Sequence, residues 1–146
     1  MTLRTRAALL VACLALSGAA WDQHELADMF SAQVPEGWSL RNEGGKEGEI
    51  LFLLNRYGEE SYDCIVGEVI WGGVIQALYG QYEVVEVTED YELYRQDAIA
   101  TSSMRRDERW TWVKRGEKYT VIVWLPAKHA QLTPIVREFM ASVDAY

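Results

Sequence analysis

The chain has 146 residues, 14 of them lysine or arginine and 22 aspartate or glutamate, for a net charge of −8. A surface this acidic repels phosphates and offers no counterion-release term, which argues against nucleic acid as a partner. A composition 49% hydrophobic, with two cysteines and three prolines, is that of one ordinary packed domain and not of a disordered or disulfide-built chain.

Residues 1–20 read as an export signal. Arg4 and Arg6 form a cationic start, Ala7 to Leu16 is an unbroken apolar run, and Ser17-Gly18-Ala19-Ala20 supplies the small side chains that a signal peptidase accepts. The apolar run is too short to span a bilayer, which takes about 20 residues. Leu10-Val11-Ala12-Cys13 matches the loose pattern before a lipid-modified cysteine. However, the apolar run continues past Cys13 to Leu16 with no polar tether, so simple cleavage near Ala20 is expected. Removal of Arg4 and Arg6 leaves 12 basic residues against 22 acidic, a net charge of −10. The mature chain then starts near Trp21 in the periplasm or outside the cell, with no membrane insertion after cleavage. It keeps Cys64 alone, so no intramolecular disulfide can form. Asp63-Cys64-Ile65-Val66 reads as the start of a buried strand, with Cys64 a small buried hydrophobe.

A short lead-in with helical character is expected over 21–27. Met29 to Val34 reads as a strand, Pro35-Glu36-Gly37 as a turn and Trp38 to Arg41 as a second strand. Asn42 to Gly48, polar and with three glycines, reads as a loop, and Glu49 to Asn55 as a buried strand. Tyr62 to Ile70 is apolar and β-branched, a further strand. Val74 to Tyr79 reads equally as a short helix or a strand edge. Tyr82 to Thr88 is a valine-rich strand, and Tyr91 to Met104 contains another centred on Asp97 to Ser102. The acids Glu83, Glu86, Glu89, Asp90 and Glu92 read as a solvated edge, since they lack the ligand alternation of a calcium loop.

Arg109 to Leu125 has the form of a hairpin around Lys114-Arg115-Gly116-Glu117. With Arg115-Gly116 at the tip, Trp112 faces Tyr119 and Trp110 faces Val121, which gathers the aromatics on one face, where cross-strand pairs add about 0.2–1 kcal/mol each. Trp124 falls on the other face. After Pro126, Thr133 is the expected N-cap with Pro134 at the first helical position. Leu132, Ile135, Val136, Phe139, Met140 and Val143 make one apolar stripe, while Arg137, Glu138 and Ser142 face water. The helix carries too little positive charge to lie on a membrane and is expected to pack on the sheet.

The strand entering "FSAQVPEGWSL", the apolar strand "EILFLL", the late strand pair and the closing helix "PIVREFMASV" together resemble the PsbP-like fold. That family is named for an accessory protein of photosystem II and also includes small exported bacterial proteins. The resemblance implies a single α+β domain, mainly antiparallel sheet with a C-terminal amphipathic helix packed on it. It further implies an accessory or binding role without a shared active site, so no functional residue carries over. The unclear middle from Gly72 to Gly80 departs from the pattern.

Residues that carry chemistry are sparse. His24 and His129 have no second ligand at metal spacing and read as solvent histidines. Ser102-Ser103 lacks the glycines of a nucleophile elbow. Glu59-Glu60 and Asp107-Glu108 sit in expected turns, where their side chains point into water. No catalytic residue, cofactor or metal site is assigned. The six tryptophans and eight tyrosines are the remaining signal, since such rings dominate protein interfaces. Trp71, Tyr79 and Tyr82 are the expected partner-binding residues. The expected function is an exported, non-enzymatic accessory or binding protein of the bacterial envelope, working through protein contacts. The alternative is a periplasmic immunity or inhibitor protein that neutralises a basic toxin or hydrolase.

Overall fold

In the computed structural model, residues 21–56, 65–72 and 82–146 are described. The expected Val74–Tyr79 element, the start of the 62–70 strand, Glu59-Glu60 and both cysteines lie outside them.

The alternating and valine-rich runs become antiparallel strands. Seven of these form one sheet: β3 (Trp38–Gly44), β4 (Glu49–Arg56), β5 (Ile65–Trp71), β6 (Tyr82–Val87), β7 (Glu92–Gln96), β10 (Arg109–Arg115) and β11 (Tyr119–Pro126). Their spatial order is β3-β4-β5-β11-β10-β7-β6. A second sheet joins β1 (Trp21–Leu26), β2 (Phe30–Pro35) and β12 (Asp144–Ala145) in the order β1-β2-β12. Two short strands, β8 (Ile99–Ala100) and β9 (Arg105–Arg106), pair with each other. A 3-10 turn over Ala127–Leu132 leads into helix α1 (Thr133–Ser142). The molecule is thus a small, mainly antiparallel β domain closed by one C-terminal helix.

Several expectations need correction. Trp21–Ala27 is not helical: β1 pairs along its whole length with β2, through a tight turn in which Ala27 and Asp28 take φ of 49° and 55°. A six-residue segment has little helix propensity of its own, and a ready neighbouring strand decides its state. The turn at Pro35-Glu36-Gly37 forms, with Gly37 at φ 80°, but it carries the chain from one sheet to the other instead of pairing its flanking strands. The second of those strands runs on to Gly44, past the expected Arg41. Within 91–104 the strand expected around Asp97–Ser102 is the short β8, while the longer strand is β7, whose Leu93 reaches the core.

The hairpin of β10 and β11 forms with its tip moved. Gly116 N–H donates to Tyr119 O at 2.7 Å, and Trp112 opposes Val123 and Trp110 opposes Leu125. The shift is an even number of residues, so each side chain keeps its expected face, but Trp112 no longer meets Tyr119. Lys118 N–H and Tyr119 N–H both donate to Tyr146 O at 2.8 Å. A Cβ at residue 116 would collide with the Ala145 carbonyl. Gly116 therefore serves the close passage of β12 and not the turn that its sequence suggests.

The core lies between the large sheet, the small sheet and α1. Phe30 of β2, Phe52 of β4 and Phe139 of α1 are fully buried, with ring centroids 5.3 to 6.4 Å apart. Phe52 lies across Gly67 of β5, where any side chain would strike the ring. Val136, Phe139, Met140 and Val143 of the expected stripe are buried, and Leu132 and Ile135 pack against them. Thr133 is already helical, with φ −52° and ψ −44°, and no side chain caps the helix at Leu132. Ser142, expected in water, instead ties helix to sheet: its hydroxyl donates to Phe139 O at 2.7 Å and accepts from Gln33 N–H at 2.8 Å. Lys114 Nζ reaches Met140 O and Ala141 O at 3.3 and 3.4 Å, supplying the positive charge that the last turn of α1 lacks.

Candidate functional site

Alternation along the strands divides the large sheet into two faces. Phe52, Leu54, Ile65, Val69, Leu93, Trp112, Val121, Val123 and Leu125 point to the core. The second face carries every buried polar residue of the large sheet: Asn55, Gln96, Thr111 and Thr120. Val113 and Ile122 are buried among them. The Gln96 side-chain carbonyl accepts from Thr111 Oγ1 at 2.6 Å and from Arg109 Nε at 2.9 Å. Buried polar groups persist when they are paired in this way.

The expected partner-binding residues separate. Trp71, 73% exposed, ends β5 next to the Gly48 turn and has the parity of the core face. Tyr82, 53% exposed, starts β6 opposite Gln96 and has the parity of the second face, stacked edge-on to Tyr94 at 5.6 Å. Four strand spacings, about 19 Å, lie between their strands, so the two rings share no patch. Tyr79 lies outside the described residues.

Tyr82 belongs instead to a different surface. Val84, Val85 and Val87 of the same strand are 54%, 44% and 67% exposed. Among the described strands β6 pairs only with β7 and so is the last strand of the sheet on that side. The acids here are less solvated than expected. Glu83 holds Arg95 at 3.3 Å, Glu86 holds Arg137 of α1 at 3.0 Å, and Glu92 holds Arg115 at 3.3 Å. The first two links brace β6 against β7 and the helix and the third ties β7 to β10, while Glu89 and Asp90 stay exposed at the end of β6.

Two further clusters occupy the second face. Glu49 and Glu68 meet diagonally across β4 and β5. Burial first, then the hydrogen bond to and charge of Glu49, raise the Glu68 carboxyl to about 7. Near neutral pH the Glu68 carboxyl is therefore about half protonated. At the far end, Val66, Arg106, Asp107, Arg109, Trp124, Pro126 and Lys128 line a cavity of about 310 Å³. The Arg109 guanidinium lies 5.0 Å over the Trp124 ring, and burial together with the charge of Arg106 brings it down to about 10. Arg106 Nη2 donates to Asp97 O at 3.0 Å. The Trp124 indole N–H is buried and meets no acceptor.

The sequence reading missed this cavity because its residues come from β5, β9, β10, β11 and the 3-10 turn, and only strand pairing brings them together. The signal that could have found it is the hairpin register, since Thr111 opposite Trp124 places Arg109 diagonally beside that ring. His129, expected in solvent, is half-buried with its Nε2 shielded from water. Ser102-Ser103 lies in an exposed turn, as does Asp107, while Glu108 binds Arg95 at 3.1 Å. Among the described residues no group of three His, Cys, Asp or Glu side chains is placed to hold a metal ion. No helix among them is long and apolar enough to cross a membrane. Compared with protein-family models, curated proteins and solved structures, the chain matches none.

Proposed function

We propose that this chain is an exported, non-enzymatic accessory or binding protein of the bacterial envelope, PsbP-like in architecture, whose β6 edge docks a basic protein. The observation that carries the reading is that edge: four large apolar side chains exposed within six residues, on a strand that among the described strands pairs on one side only. A bare edge of this kind is an invitation to pairing unless something covers it. Glu89 and Asp90, exposed at the end of β6, put negative charge beside the apolar side chains, and the chain as a whole is acidic, so the complementary partner is basic. The cationic, apolar and small-residue segments of 1–20 support export, with Trp21 the expected first residue of the mature protein.

The test uses mature protein and a Val85→Lys, Val87→Lys variant as baits on periplasmic extract, with bound proteins identified and their charge noted. A basic partner retained by the first and lost by the second supports the reading. Equal recovery on both baits, or an acidic partner, removes it. The same acidity favours an immunity or inhibitor role as the second reading, which predicts that the recovered partner is a toxin or hydrolase inhibited by the mature protein. Substrate turnover that disappears in His129→Ala or Cys64→Ala would show an enzyme instead.

A further inference from the structure

We infer that the cavity lined by Arg106, Arg109, Lys128 and Trp124 is a binding site for a small organic anion, an oxyanion head on an apolar body. Its place is separate from the outer edge of β6, two strands away from β10. Among the described residues of its lining, three cations meet one carboxylate, Asp107. This is the reverse of the balance in the chain, where acids outnumber bases by 22 to 14. Solvation alone would scatter these charges. Here they converge on a concavity of about 310 Å³, at the small end of the roughly 300–1,000 Å³ expected of small-molecule sites.

The two guanidinium groups are held in place and not merely exposed. Gln96, itself fully buried, accepts from Arg109 Nε, and the Asp97 carbonyl accepts from Arg106. The electrostatic influence of Arg106 on Arg109 is unfavourable, so added negative charge in the cavity favours both. Trp124, Val66 and Pro126 provide apolar walls for the body of the ligand, and Lys128 stands at the mouth, exposed. The indole N–H of Trp124, buried without an acceptor, is the donor that a ligand oxygen would satisfy. A flat, sequence-long surface would suit a macromolecule. This half-open, cationic hollow with one aromatic wall suits a carboxylate or phosphate monoester of about the size of a single ring.

The test titrates mature protein with benzoate, phenyl phosphate and neutral benzyl alcohol, followed by calorimetry and by the indole N–H resonance of Trp124, assigned through Trp124→Phe. Saturable binding of at least one anion is expected, with a shift of that resonance and weakening by salt, and no comparable binding of the alcohol. Preference between benzoate and phenyl phosphate identifies the head group. Arg106→Gln is expected to weaken binding about tenfold. Lys128→Gln, at an exposed position that leaves the fold intact, is expected to weaken it about threefold. No saturable binding of either anion at millimolar concentration overturns the inference. So does equal binding of the alcohol, or anion binding unchanged in both variants.

Discussion

The two faces of the large sheet bury their centres to similar depth, yet one is buried by apolar packing and the other mixes apolar Val113 and Ile122 with polar groups that need partners. On the core face, Phe52, Trp112, Val121, Val123 and Leu125 lie under the small sheet and α1, joined by the Phe30–Phe52–Phe139 cluster. On the second face Thr111, Thr120, Gln96 and Asn55 are equally buried, and Glu68 and Arg109 have their ionisation displaced. A protein spends stability on buried polar and charged groups, since their desolvation is only partly repaid. Perturbed ionisation clusters where chemistry or recognition happens. The difference teaches that the core face holds the fold together, while the second face is the place to look for a ligand.

Three substitutions probe that contrast. Phe139→Ala removes one ring from the core face and is expected to cost about 3–5 kcal/mol, because Phe30 and Phe52 cannot close the cavity. Chemical denaturation measures it; a loss below about 1 kcal/mol would mean that α1 contributes little to the core. On the second face, Gln96→Leu leaves the Thr111 hydroxyl and Arg109 Nε without their acceptor at a site closed to water. The expected cost is about 2 kcal/mol. Stability equal to that of the parent protein would show the second face to be as indifferent to polarity as an ordinary core.

The smallest effect is on pH dependence. The Glu68 carboxyl sits at about 7 in the folded chain, against 4.5 unfolded, so the folded state holds the extra proton between those values. Stability from this group is therefore full below about pH 4.5 and declines as pH rises to about 7, the opposite of an ion-paired carboxylate. Because the side chain is partly solvated, the decline is about 1 kcal/mol and not the full value of the shift. Glu68→Gln is expected to flatten this slope, as read from denaturation midpoints between pH 4.5 and 7.5. An unchanged slope would mean that the Glu68 carboxyl is not raised in the folded chain.

Much of the secondary structure was readable along the chain. β4, β6, β10, β11 and the apolar stripe of α1 follow from runs and spacings that depend on immediate neighbours, because a side chain's face is set by a period of 2 or 3.6 residues. Trp124 on the face opposite Trp112 follows from the same alternation. Where strength came from distant partners, local reading failed. β1 is a strand because β2 lies alongside it, the tip of the β10–β11 hairpin is set by Tyr146 and Ala145, and Ser142 is claimed by Gln33.

The chemistry divides the same way. The amino-acid order was sufficient for the acidic charge and for the cationic, apolar and small-residue pattern of 1–20, since each is a property of composition or of adjacent residues. Which aromatics are exposed, and that Trp71 and Tyr82 stand on different faces, depends on strand order. The cavity of Arg106, Arg109, Trp124 and Lys128, and the raised Glu68 carboxyl beside Glu49, exist only because antiparallel pairing sets residues far apart in the chain side by side. Each of these side chains is unremarkable alone. It is the low-dielectric surroundings and the neighbouring charge, both supplied by tertiary structure, that turn them into a site.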